Sequence, residues 1–146
     1  MELVIKNKKA YFEYFIEKEY EAGMQLTGSE VKSIRAKKLS IQESFCHIEN
    51  GEVFVKNMNI SEHAFAGPFG QHHPTRPRKL LLNRKEINRI KESLKQKGFT
   101  LIPLSVVINK KGLIKLNIGL AKGKKLYDKR ESIKKRDTDR ELSKIR

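Results

Sequence analysis

The sequence predicts a mainly β fold: a small antiparallel sheet closed into a barrel of the oligonucleotide-binding type, with two or three short helices and a basic C-terminal tail. Three observations carry this. Apolar residues Ile114, Leu116, Ile118 and Leu120 alternate with Lys115, Asn117 and Gly119, the pattern of a strand with one buried face. Asn50-Gly51 lies between two apolar runs and suits a type I′ turn, whose central residues both need positive φ. The strand runs follow one another without βαβ spacing, and closing such a sheet removes its edges.

Taken in order, Tyr11 to Ile16 and Tyr20 to Leu26 are aromatic and apolar at strand-like spacing, and Glu17-Lys18 between them reads as the turn of an opening hairpin. Thr27-Gly-Ser-Glu30 has the form of a capping box, so a short helix should run to about Lys38, with Val31 and Ile34 on one face and Lys32, Arg35, Lys37 and Lys38 over the rest. Ile41 to Ile48 and Val53 to Lys56 flank the Asn50-Gly51 turn as a second hairpin. His63 to Lys79 holds three of the four prolines, two glycines and the run Arg76-Pro-Arg-Lys79, which predicts a long exposed loop. After a short strand at Leu80 to Leu82, Asn83 and Glu86 cap a helix whose apolar face is Ile87, Ile90 and Leu94, with Gly98 at C′. Thr100 to Ile108 and Leu113 to Leu120 form the last hairpin around Lys110-Lys111-Gly112. The expected total is six or seven short strands.

The 146 residues suit one folded domain, expected over residues 1–121, followed by a tail over 122–146. That tail carries eleven Lys/Arg against five Asp/Glu and too few large apolar side chains to bury a core. It should be disordered when free and helical when its charge is neutralised by a polyanion, where pairs such as Glu131 with Lys135 support a helix. A net charge of +15 and a pI near 10.0 make nucleic acid the leading partner class. One cysteine, Cys46, excludes an internal disulfide, and the Met1 end lacks the apolar region of a secretory signal, so a reducing, cytoplasmic location is expected. The longest apolar run, Leu101 to Ile108, is too short to span a bilayer and is broken by Pro103 and Ser105; no membrane partner is expected.

Catalytic and metal chemistry find no support. Cys46, His47, His63, His72 and His73 show neither CxxC nor HxxxH spacing, no phosphate-binding glycine motif is present, and Cys46 mid-strand reads as a packing residue. What remains is a phosphate-tracking set: Asn7, Lys8, Lys9, the run Arg76, Arg78 and Lys79, and Lys122, Lys124 and Lys125. Phosphate contact alone confers little choice of partner. Glu21 is the exception in sign: a carboxylate in a positive field can accept from a base amino group, as with cytosine N4. Tyr127, within a run of cations, offers a ring to an unpaired base. The blander readings are a solvent-facing strand glutamate and a plain tail tyrosine.

These segments resemble one family over nearly the whole chain, the SsrA-binding proteins, also called small protein B. The likeness rests on Tyr14-Phe-Ile-Glu17, Glu21-Ala-Gly23, Thr27 to Ala36, Pro74 to Asn83 and Gly119 to Arg130. The resemblance implies a cofactor-free, non-enzymatic RNA-binding barrel, monomeric, that grips the tRNA-like part of transfer-messenger RNA. With elongation factor Tu engaged through that RNA, it would enter the vacant A site of a stalled ribosome for rescue by trans-translation. It implies barrel contacts to the RNA at Asn7, Glu21 and Leu81. It also implies a tail in the decoding centre of the 16S rRNA and in the empty mRNA channel, through Tyr127, Asp128, Lys129 and Arg130. Two features depart from the family pattern: Tyr127 stands where many relatives carry His, and Ala64 to His73 matches no family motif. Composition alone also allows a structural ribosomal protein, which would accompany every ribosome rather than stalled ones.

Overall fold

Nine strands and three helices form among the residues that this computed structural model describes, 2–62 and 72–124. In chain order they are β1 (Glu2–Lys6), α1 (Lys8–Glu13), β2 (Tyr14–Met24), α2 (Gly28–Arg35), β3 (Leu39–Ser40), β4 (Phe45–Glu49) and β5 (Glu52–Lys56). There follow β6 (Asn59–Ile60), β7 (Arg78–Leu81), α3 (Arg84–Leu94), β8 (Phe99–Ile108) and β9 (Ile114–Gly123). Seven strands make one antiparallel sheet in the order β1-β8-β9-β2-β7-β5-β4, while β3 and β6 pair separately.

The closed barrel expected from the sequence does not form: no hydrogen-bonded ladder joins β1 to β4, the two edges of the sheet. The sheet curls until β4 lies alongside β8, but β1 spans only five residues and slips register between Leu3 and Ile5. Asn7, directly after it, turns the chain into α1. Its buried Nδ2 donates to Pro103 O at 3.0 Å and to Ile41 O at 3.4 Å, so a side chain ties the end of β1 to β8 and to the chain leading into β4.

The expected opening hairpin is also replaced. Asn7 Oδ1 accepts from Ala10 N at 3.2 Å and caps α1, whose buried Ala10 sits on the sheet while Tyr11 and Phe12 stay exposed. Glu17-Lys18 is no turn; β2 runs straight through it with a register shift between Ile16 and Lys18. Elsewhere local chemistry prevails as expected. Both capping boxes form, Thr27 with Glu30 and Asn83 with Glu86, and Asn50 and Gly51 adopt φ of 52° and 75° between β4 and β5. Helix α2 ends at Arg35, short of Lys38, because Lys37 turns to φ 60°. Gly98, at φ 91°, lies beyond the C-cap Lys95 and serves the turn into β8 rather than the C′ position.

Inside the curl, Ile34, Val53, Val55, Leu80, Ile90, Leu101, Val106, Leu116 and Ile118 form the main core, with Ile87 and Ile90 of α3 buried in it. A second, smaller cluster of Ala10, Ile102, Leu104 and Ala121, flanked by Tyr14 and Ile16, lies under α1 on the outer face of the sheet. No described helix is long and apolar enough to cross a membrane. Strand β9 carries the folded body to Gly123, and the amide of Lys124 donates to Glu13 O at 2.9 Å, so ordered structure passes the boundary expected at residue 121.

Gly119 allows this outer cluster to close: a Cβ there would stand 2.8 Å from Leu104 Cδ1 and 3.1 Å from Ile16 Cγ2. Gly119→Ala is therefore expected to cost about 1–3 kcal/mol by overpacking, read from urea unfolding at neutral pH. A change within a few tenths of a kcal/mol would show that the cluster yields freely.

Candidate nucleic-acid interface

Two bulges decide what the outer face of the sheet shows. On β2, Tyr14 and Ile16 face the cluster under α1; past the shift between Ile16 and Lys18, Tyr20 turns into the main core and Glu19, Glu21 and Gly23 face out. On β8, Ile102 and Leu104 face the same cluster, and the shift between Pro103 and Ser105 sends Val106 inward and brings Ser105 and Val107 to the outer side. Each extra residue exchanges the faces of everything beyond it. The face is thus apolar and covered near α1, with a polar row and then a mostly apolar one beyond it.

Past α1, the registers place Lys6, Ser105, Asn117 and Glu21 in one row across β1, β8, β9 and β2. Asn117 Nδ2 donates to Ser105 Oγ at 2.9 Å. The next row holds Leu3, Val107, Lys115 and Gly23, with Leu81 of β7 paired to Gly23. Glu21 is exposed and Leu81 is 48% exposed. Tyr11 borders the patch from α1: its hydroxyl donates to Glu19 Oε1 at 3.4 Å and Lys6 Nζ lies 4.8 Å from its ring centroid. Burial, then the charge and hydrogen bond of Glu19, raise its hydroxyl above the ordinary 10.0.

The basic segment leading into β7 is organised by one carboxylate. Glu30, fully buried on α2, accepts from Arg78 Nε at 2.6 Å and from Arg76 Nε at 3.1 Å while also accepting from Thr27 N at 2.8 Å. Arg78 spends its remaining donors on Met58 O, Pro74 O and His73 O. Next to it, His72 is buried, with Nε2 donating to Ile60 O and Nδ1 bonded to Ser29 Oγ, both at 2.7 Å.

A family model described as "SmpB protein" matches residues 4–146. The chain belongs to the SmpB family. It is 48% identical to the SsrA-binding protein of Thermosipho melanesiensis, over 97% of this chain and 96% of that one. It is 50% identical to that of Bacteroides thetaiotaomicron (97% and 93%) and 50% identical to that of Ehrlichia canis (99% and 97%). Among solved structures, a chain described as "tmRNA-SmpB: a journey to the center of the bacterial ribosome" superposes with a TM-score of 0.70 at 42% identity, covering 86% of this chain and 87% of that one.

For an SmpB-family chain, the basic residues singled out in the sequence divide into distinct groups. Arg78, at 0% exposure, is a structural cation and leaves the phosphate-tracking set; Arg76 is two-thirds buried against Glu30. The expected exposed loop is accordingly pinned from His72 onward, while His63 and the stretch from Ala64 to Gln71 lie outside the described residues. Asn7 is buried and committed to the seam and to α1, so it positions its neighbours rather than presenting its amide. Lys8 is exposed, Lys9 pairs with Glu43 at 3.4 Å, and Lys79 pairs with Glu52 at 3.0 Å on the outer side of β7. Lys122 and Lys124 are gathered at the end of β9, over the rings of Phe99 (5.7 Å) and Phe15 (4.7 Å). Lys125, Tyr127, Asp128, Lys129 and Arg130 lie outside the described residues.

Lys6, Tyr11, Ser105, Lys115 and Asn117 joined the patch without having been singled out. The alternation of β9 already marked Lys115 and Asn117 as solvent-side positions, but nothing short of the bulges places Glu21 and Ser105 beside Asn117. Among the described residues no group of three or more His, Cys, Asp or Glu is placed to hold a metal, and burial pushes the Cys46 thiol far up.

Burial acts to raise the Glu30 carboxyl, but the hydrogen bonds from Arg76, Thr27 N and Arg78 outweigh it and hold it below the ordinary 4.5. Its stabilisation is therefore complete above that value and lost as pH falls below it. Glu30→Gln, which strands two guanidinium groups, is expected to cost about 3–5 kcal/mol at pH 7 and to flatten the acid limb of a thermal-melting profile. An unchanged acid limb in that variant would assign the pH dependence to other carboxylates.

Proposed function

We propose that this chain binds the tRNA-like part of transfer-messenger RNA through the outer face of its sheet and accompanies it to stalled ribosomes for rescue by trans-translation. The observation that carries this is the family match over residues 4–146, together with a structural neighbour, similar over 86% of the chain, whose description joins tmRNA, SmpB and the bacterial ribosome. The row from the exposed Lys6 across the buried Ser105 and the half-buried Asn117 to the exposed Glu21, with Lys115 and the exposed Leu81 beside it, supplies cations, base-edge acceptors and an apolar surface on one rigid ladder. Such a mixture suits RNA, because phosphates position while base edges and faces select.

In this reading the protein performs no covalent chemistry and needs no cofactor. It acts as a cytoplasmic monomer, and elongation factor Tu joins through the RNA. The tail beyond Lys124 extends from the end of β9, with Tyr127, Asp128, Lys129 and Arg130 meeting the decoding centre and the residues after them following the empty mRNA channel. Lys8, Lys9, Lys79, Lys122, Lys124 and Lys125 track phosphates, so RNA affinity falls steeply with salt, by roughly 10³ to 10⁵ between 50 and 200 mM for a footprint of six to ten phosphates.

Removing residues 126–146 is expected to leave affinity for transfer-messenger RNA within a few-fold while abolishing peptide tagging on ribosomes stalled at a message end. Loss of both together would contradict the division between grip and tail. Glu21→Ala is expected to weaken RNA binding about tenfold in a filter-binding titration, although it removes a negative charge that Coulomb repulsion alone would make unfavourable. Tighter binding by that variant would make Glu21 a bystander.

A further inference from the structure

Gly123 pairs with Tyr14 at the end of β9, and the next amide, that of Lys124, donates to Glu13 O at 2.9 Å. The Lys124 side chain then turns back and sets its ammonium 4.7 Å from the ring centroid of Phe15. The residue from which the tail departs is thus held at its amide by Glu13 and at its ammonium by Phe15. Tyr14 and Ile16 face the cluster under α1, so Phe15 between them faces the other side of the sheet, where it stays 48% exposed and takes no place among the buried residues of either apolar cluster. It stands opposite Lys122 in the β2–β9 register, and Lys122 in turn stands opposite Phe99, with its ammonium 5.7 Å from that ring. Each of the two cations at the root of the tail therefore rests on an aromatic face.

We infer that Phe15 is a positioning residue for the tail: its ring, acting through the Lys124 ammonium, joins Glu13 O in fixing the direction in which the chain leaves β9. The inference rests on the role proposed above for Tyr127, Asp128, Lys129 and Arg130, and it names a residue of the folded body on which that role depends. Direction matters because the reach is short. Tyr127 follows Lys124 by only three residues, and three residues span at most about 10–11 Å when fully extended. A root free to swing spreads Tyr127 over the whole volume within that radius, and the effective concentration of a tethered group at its site falls as that volume grows. Slack further along the tail does nothing to correct an error at its first step. An aromatic ring suits this task better than a carboxylate, because a π face holds an ammonium without neutralising it, and Lys124 keeps its charge for RNA phosphate.

The test uses the full chain with Phe15→Leu, which keeps apolar bulk and removes the π face, and with Phe15→Trp, which offers a stronger one. In nuclear magnetic resonance spectra of the free, unsubstituted chain, the ring current of Phe15 should shift the Lys124 ε-methylene protons upfield, and Phe15→Leu should return them to their ordinary position. Affinity for transfer-messenger RNA in a filter-binding titration should stay within about twofold for both variants, while the rate of peptide tagging on ribosomes stalled at a message end falls roughly two- to fivefold in Phe15→Leu and is kept in Phe15→Trp. An unshifted Lys124 signal in the unsubstituted chain overturns the inference without any variant. So does an equal loss of tagging in Phe15→Trp and Phe15→Leu, or a loss of tagging matched by a loss of RNA affinity, since either is what a merely structural ring would give. Tagging that survives removal of residues 126–146 sinks the proposed role of the tail, whereas tagging lost on that removal but unchanged by Phe15→Leu sinks this inference alone.

Discussion

Glu30 holds together the parts of the chain that have least reason to stay together. It stands on α2 through a capping box, and its two oxygens reach Arg76 and Arg78 in a segment that begins far along the sequence. Arg78 in turn reaches Met58 O and Pro74 O, so one ion cluster joins α2, the chain around β6 and the start of β7. Taking a carboxylate and a guanidinium out of water costs several kcal/mol each, and the structure offsets this by giving every one of those polar atoms a partner. The position of β7, and with it Leu81 beside Gly23, follows from that arrangement.

From there the surface is built by sheet geometry. The same ladder that buries Tyr20, Ala22, Leu116 and Ile118 on one side must present Glu19, Glu21, Lys115 and Asn117 on the other. Two inserted residues let one continuous sheet carry a greasy seat for α1 and a polar row on a single face. Rigidity comes from the long β2–β9 and β8–β9 pairings, which hold Asn117 between Glu21 and Ser105 without any loop.

Local chemistry was legible in the residues wherever the signal was local. The Thr27 and Asn83 capping boxes, the Asn50-Gly51 turn and the alternation along β9 all report on bonds made within a few positions. What could not be read was tertiary. Tyr11 to Ile16 have β-favouring side chains, yet the Asn7 cap and the seat for Ala10 on the sheet pull residues 8–13 into a helix. Arg78 reads as a phosphate ligand in a basic run, and only the distant Glu30 makes it a core residue. Closure of the barrel was inferred from the need to hide edges; here the curl and the Asn7 amide meet that need instead. Of the interface, Glu21 was legible from its own carboxylate in a basic chain and Leu81 came with the family resemblance, whereas their neighbours across the ladder depend on register that no single strand encodes.

The seam has a dynamic corollary. The edges β1 and β4 share no ladder; beside them the buried Asn7 amide holds Pro103 O and Ile41 O and Lys9 pairs with Glu43, while neighbouring strands elsewhere in the sheet are zipped by main-chain pairs. Thermal breathing of the fold should therefore start as a hinge-like parting at this line, with α1 and β1 swinging on β8. Such an opening would loosen Tyr11 and Lys6 at the margin of the patch and leave Glu21 and Asn117 held in their ladder, giving a rigid centre with a yielding rim.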